Sequence, residues 1–262
     1  MFSRAVVVRV ALGAAAALGL GLLITSTIGS SSPTRTGSSS STRSGSTEPT
    51  WTEPRPDVLV VGESLLHQVA PMETDLLRGA GHRPVVEARD SEDLASAFVQ
   101  GEVHRAAAQG VPIVVLETAA NDAYLGAGTA PPDQWAPALS RYRRTLAATL
   151  ATLSHQCTVL VDTRVTGTSK WYELGRIGPD IDRALADAAR NHPGAVEVVR
   201  WSDESASHGS DWFWADGLHF GDPAHSASSW HQAGASAFAS AIAGGVARCS
   251  ADLRARAVTA NQ

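Results

Sequence analysis

The sequence predicts an α/β fold built on a five-stranded parallel sheet with helices on both faces. Three observations predict it. Short, near-continuous aliphatic and β-branched runs recur five times after residue 56, and such runs suit strands buried on both faces. Stretches of helical periodicity separate them, the pattern of repeated parallel crossovers. The long connections at 117–132, 163–180 and 201–228 all follow strands, so they gather at the carboxyl edge of the sheet, where open α/β folds bind ligands.

In chain order, residues 57–61 (DVLVV) read as the first strand and 64–79 as the first helix. Residues 84–88 are the second strand, followed by a helix over 91–109 with an acidic first turn. The third strand is 111–116 (VPIVVL), the next helix 133–153 and the fourth strand 158–162. A helix over 181–191 is closed by His192-Pro193-Gly194, 195–199 is the fifth strand, and 229–247 the last helix. Length and β-branched content separate the strands from the helices.

The 262 residues are 44% hydrophobic and 18% charged, which excludes a wholly disordered, collagenous or disulfide-scaffold chain. The net charge of -5 is uneven: residues 1–56 hold five Arg and two Glu, leaving 16 basic and 24 acidic side chains in 57–262. A domain that acidic is a poor candidate for a phosphate-backbone binder, so no nucleic-acid partner is expected. Arg4 and Arg9 precede an apolar run over 10–24. As a helix that run spans about 22 Å, or about 28 Å if continued to Ile28, against a bilayer core of about 30 Å. Residues 1–28 therefore read as a signal peptide or signal anchor that exports the rest of the chain. Residues 29–56, rich in Ser, Thr, Gly and Pro, read as a flexible linker dispensable for chemistry. A folded domain over 57–250 and a flexible tail over 251–262 complete the chain, with the membrane touched only through the N-terminal segment.

Three blocks at strand ends carry candidate chemistry. Gly62-Glu63-Ser64 puts a hydroxyl at a strand-to-helix turn, where free N–H groups favour developing negative charge; a serine there is also a common helix N-cap. Asn121, in Ala119-Ala120-Asn121-Asp122 after the third strand, offers an amide to an oxyanion, or alternatively forms an Asx-turn. Asp216-Gly217-Leu218-His219 enters the last helix on the same edge. An Asp three residues before a His can accept from one ring nitrogen and leave the other to take a serine proton.

Together the blocks resemble the SGNH (GDSL-type) hydrolase family over residues 57–247. Members carry a Gly-Asp-Ser block, a Gly, a Gly-x-Asn-Asp block and an Asp-x-x-His block. Here Gly62-Glu63-Ser64 has Glu for Asp, Ala119 stands where Gly is usual before Asn121-Asp122, and Asp216-Gly217-Leu218-His219 is unchanged. The turn Glu87-Ala88-Arg89-Asp90-Ser91 places Ser91 at the oxyanion-hole glycine. A backbone N–H survives that exchange; the conformational freedom of glycine does not. The resemblance implies a flavodoxin-like three-layer sandwich and a Ser64–His219–Asp216 triad. It also implies an oxyanion hole from Ser64 N–H, Ser91 N–H and Asn121. The reaction implied is acyl transfer through an acyl-serine, which calls for no metal and no organic cofactor.

Three functions fit: an exported esterase or deacetylase acting on a small-molecule or glycan ester, an O-acyltransferase of the same fold, or a non-catalytic glycan-binding module. A monomer is expected. Trp201, Trp212, Trp214 and Trp230 flank the His219 loop, and Trp171 and Tyr172 lie in another carboxyl-edge loop. Trp212, Trp214 and Trp171 are the candidates for contact with substrate, with core packing as the alternative for each. Cys157 opens the fourth strand and Cys249 follows the last helix, both at the edge away from Ser64. In an oxidising compartment they are expected to form a disulfide.

Overall fold

The computed structural model describes residues 55–124, 131–165, 172–221 and 230–260. The expected signal segment 1–28, nearly all of the linker and Trp171 lie outside the described residues.

Five parallel strands form one sheet: β1 (Val58–Gly62), β2 (Pro84–Ala88), β3 (Ile113–Glu117), β4 (Cys157–Val161) and β5 (Val196–Val199), in the order β2-β1-β3-β4-β5. Every residue of β1, β3 and β4 is buried, as their uninterrupted Val, Leu and Ile content requires. Helix α1 (Ser64–Gly79) and the long α7 (Gln232–Ala260) pack on one face. Helices α2 (Ala97–Gln109), α4 (Trp135–Thr152) and α5 (Tyr172–Asn191) cover the other, as right-handed crossovers dictate for this strand order. Two short helices, α3 (Ala119–Asn121) and α6 (Trp201–Ser205), follow β3 and β5 at the carboxyl edge. The result is the expected three-layer α/β sandwich. Strand order reverses between β1 and β3, so their carboxyl ends splay into the crevice such sheets offer to ligands. Gly62 and Glu117 are paired at those two ends.

Three boundaries depart from the sequence reading by more than three residues. Helix α2 begins at Ala97, capped by Ser96 Oγ accepting from Val99 N–H at 3.2 Å, rather than at 91; Ser91 sits at φ +63°, outside any right-handed helix. Helix α5 begins at Tyr172 rather than 181 and runs through Pro179. Its buried stripe Leu174, Ile177, Ile181 and Leu185 follows helical spacing and outweighs the proline's local penalty. Helix α7 continues to Ala260 where a flexible tail is expected from 251. The segment Ala251-Asp252-Leu253-Arg254-Ala255-Arg256-Ala257 is dominated by strong helix formers.

Cys157 and Cys249 form the expected disulfide, with Cα atoms 5.7 Å apart. It ties the first residue of β4 to the middle of α7 and not to a position beyond it. Among the described residues no helix is long and apolar enough to cross a membrane.

Candidate active site

The chain leaves β1 through Gly62 and enters α1 at Ser64. A Cβ on Gly62 would lie 2.8 Å from Glu117 O, from Glu117 Oε2 and from Leu66 Cδ2, so no side chain fits there. Glu63, at the N-cap position, makes no side-chain cap. Glu117 Oε2 performs that task from the end of β3, accepting from Glu63 N–H at 3.2 Å and Leu66 N–H at 3.3 Å. Ser64 N–H, first in the helix, has no intrahelical acceptor.

Ser64 Oγ lies 3.0 Å from His219 Nε2, and His219 Nδ1 lies 2.7 Å from Asp216 Oδ2. Three groups from two distant segments thus form one hydrogen-bonded chain. Asp216 Oδ1 accepts from both Leu218 N–H and His219 N–H at 3.0 Å. The turn closes on itself through Trp214 N–H to His219 O at 2.8 Å and Gly217 N–H to Trp214 O at 2.7 Å. Gly217 takes φ +74°, where glycine carries no Cβ penalty. Burial alone would raise the Asp216 pKa. Hydrogen bonds from the His219 ring and Leu218 N–H, with the charge of His219, outweigh it and hold the carboxyl below its usual value. Asp216 therefore stays an acceptor, which fixes His219 with Nδ1–H toward it and Nε2 toward Ser64.

The residues expected to stabilise an oxyanion converge on the same edge. Four ties hold the loop around Ser91: Arg89 N–H to Gly62 O at 3.1 Å, Asp90 Oδ1 to His67 Nδ1 at 2.8 Å, Asn121 Nδ2 to Glu92 O at 3.0 Å and Leu94 N–H to Asp122 Oδ1 at 3.1 Å. Ser91 is thus held in the left-handed conformation that glycine adopts freely. The Asn121 amide has two N–H bonds; one donates to Glu92 O, and no acceptor for the second is seen among the described residues.

Beneath this edge lie three buried carboxyls. Burial first, and then the neighbouring carboxyls of Glu117 and Asp122, raise the Glu63 pKa far above its usual value. Burial pushes Glu117 up to about 8, against the N–H donors of Glu63 and Leu66, and Asp122 to about 7. A protonated, neutral group under the site leaves the positive potential of the N–H donors intact.

The tryptophans divide. Trp201 is fully buried among Phe213, Phe220 and Phe238, with ring centroids 6.0, 6.0 and 4.9 Å away. Trp212 is half-buried and stacks on both His208 (3.5 Å) and Trp201 (5.8 Å). Trp214 and Trp230 are half-buried beside the His219 turn and at the start of α7.

Sequence reasoning missed Gln68, one turn beyond Ser64 on α1. Its Oε1 accepts from Phe220 N–H at 2.9 Å and its Nε2 donates to Gly221 O at 3.3 Å, pinning the His219 segment to the helix that carries Ser64. Spacing i, i+4 from the hydroxyl was the available signal. It also missed Glu117 as the cap of α1 and Arg164 behind the turn. Among the described residues no group of three or more His, Cys, Asp or Glu side chains is placed to hold a metal ion.

No protein-family model matches this chain, and no curated protein matches it by sequence. Solved structures do match. The C-terminal catalytic domain of Streptococcus pneumoniae peptidoglycan O-acetyltransferase A (OatA), with a methylsulfonyl adduct, aligns at TM-score 0.51 and 16% identity, covering 74% of this chain and 93% of that one. The acetyl xylan esterase AlAXEase aligns at TM-score 0.50 and 9% identity, covering 71% and 97%. A catalytic mutant of an acetylxylan esterase from Geobacillus stearothermophilus aligns at TM-score 0.50 and 12% identity, covering 71% and 91%. The chain has the fold of the SGNH (GDSL-type) esterases.

Proposed function

We propose that this chain is an exported serine esterase that cleaves carboxylic esters, acylated glycans included, through an acyl-serine intermediate. The observation that supports this reading best is the hydrogen-bonded chain from Ser64 through His219 to Asp216, at 3.0 and 2.7 Å, on the β1/β3 crevice. Ser64 Oγ attacks the ester carbonyl carbon while His219 Nε2 takes its proton. The carbonyl oxygen becomes an oxyanion facing Ser64 N–H, Ser91 N–H and the second Asn121 N–H. The intermediate collapses as His219 returns the proton to the departing alcohol oxygen. Water, deprotonated by the same imidazole, then attacks the acyl carbon and frees Ser64.

The disulfide supports export, since such bonds persist in oxidising compartments, and residues 1–28 supply a route there. A second reading, transfer of the acyl group to a sugar hydroxyl, is favoured by the likeness to the peptidoglycan O-acetyltransferase domain. A non-catalytic glycan-binding module fits less well, because Ser91 keeps the backbone conformation of the glycine it replaces.

The test is labelling with a fluorophosphonate, mapping of the modified residue, and hydrolysis of a chromogenic acetyl ester with and without added saccharide. Modification at Ser64, abolished in Ser64→Ala, is expected. A saccharide-dependent gain in ester consumption with acylated sugar as product would select the transferase. A chain inert to probe and ester would overturn both catalytic readings.

A further inference from the structure

We propose that Arg164 is a positioning residue that fixes the Asp216–His219 turn relative to Ser64, an inference that rests on the esterase reading. Arg164 lies three residues beyond β4 and is half-buried. Among the described residues its guanidinium reaches one segment. Nε donates to Gly217 O at 3.0 Å, Nη2 to His208 O at 2.7 Å and Nη1 to Ser205 O, while Cζ lies 4.0 Å from the centroid of the Phe213 ring.

The contact with Gly217 is decisive. The Gly217 carbonyl and the Leu218 N–H belong to one planar peptide. Arg164 holds the oxygen side of that peptide, and Asp216 Oδ1 accepts from its N–H side at 3.0 Å. Asp216 then meets His219, and His219 meets Ser64. A single line of hydrogen bonds therefore runs from the guanidinium through a peptide, a carboxylate and an imidazole to the hydroxyl. Each bond polarises the next, and the cation at its origin strengthens the first.

The base of this line is itself fixed. Thr163 N–H donates to Asp182 Oδ1 at 3.0 Å, and Asp162 accepts from Ser202 N–H and Ser202 Oγ at 2.7 and 2.8 Å. The exit of β4 thereby holds the segment from Ser202 to Gly217 at both ends. Only the planar fork of arginine meets three carbonyls and an aromatic face at once; the compact ammonium of lysine does not.

The experiment uses the full chain with Arg164→Met, Arg164→Lys and, as control, Arg248→Met, an exposed arginine paired with Glu197. Readouts are the fluorophosphonate labelling rate, kcat and KM on a chromogenic acetyl ester, far-UV circular dichroism, and the downfield proton signal of His219 Nδ1–H. Arg164→Met is expected to keep its helical spectrum, lose about 10²-fold in labelling and kcat with little change in KM, and shift or lose the downfield proton. Arg164→Lys should recover part of the rate, and Arg248→Met should match wild type. A folded Arg164→Met with wild-type labelling rate and proton signal overturns the proposal and leaves the triad standing. If the methionine variant does not fold, a folded lysine variant at the full wild-type rate overturns it equally. A wild type that the probe does not label overturns the esterase reading, and this inference with it.

Discussion

At φ +63°, Ser91 occupies backbone space that costs an L-residue about 1–2 kcal/mol. Four ties from β1, α1, Asn121 and Asp122 hold it there, which is how strain persists at a site. Ser91→Gly should relieve that strain and lose some of the gain to the larger unfolded-state entropy of glycine, for a net stabilisation of about 0.5–1 kcal/mol. Esterase activity should be retained, because the N–H remains. Urea unfolding measures the first part; a destabilised Ser91→Gly would mean that the serine side chain contributes more than the structure shows. On the proposed reading Asn121 acts by its side chain instead. Asn121→Ala removes one oxyanion donor and should lower ester turnover by about 10²–10³-fold, with KM nearly unchanged; a variant within twofold of wild type would remove Asn121 from the oxyanion hole.

At the scale of elements, the bridge between β4 and α7 sits at the amino edge of the sheet, opposite Ser64. Replacing both cysteines by serine frees a 92-residue loop in the unfolded chain and should cost about 4–5 kcal/mol in the loop-entropy model. Turnover by the folded remainder should be unchanged, which steady-state kinetics well below the unfolding midpoint would check. Elements whose apolar pattern matches their period were legible in sequence: α1 and β2 fall on the residues expected for them. The start of α5 was not, because Pro179 reads locally as a breaker and only the buried stripe from Leu174 to Leu185 overrides it. The hydrogen-bonded set of Ser64, His219 and Asp216 was legible because each residue ends or follows a strand in a short motif. Ser91 was legible as a position, but its φ was not. Gln68, Glu117 and Arg164 stayed hidden because they bind backbone atoms far off in sequence, 153 residues away for Gln68 and Gly221. No local pattern encodes such a partner.

For the molecule as a whole, the sum of its buried acids sets how stability depends on pH. Burial raises Glu73 to about 8, Glu117 to about 8, Asp122 and Asp182 to about 7 and Asp162 to about 6. In the unfolded chain these carboxyls ionise near 4–4.5. Between those values the folded state holds protons that the unfolded state has released, so unfolding releases protons and stability falls as pH rises. Each such carboxyl steepens the fall by about 1.4 kcal/mol per pH unit across its window. The loss begins above about pH 4.5 and ends for each group at its folded pKa. Glu73 isolates the effect, because it lies on the buried face of α1 away from the hydroxyl and neither of its carboxyl oxygens has a hydrogen-bond partner among the described residues. Glu73→Gln keeps the shape and removes the titration. Its stability should approach that of wild type near pH 4.5, exceed it increasingly toward pH 8, and leave esterase activity unaltered. Urea unfolding at pH 5 and pH 8 reads the difference directly. Equal pH slopes for the two proteins would mean that Glu73 is ionised in the fold, and the deeper carboxyls Glu117 and Asp122 would then have to account for any alkaline loss alone.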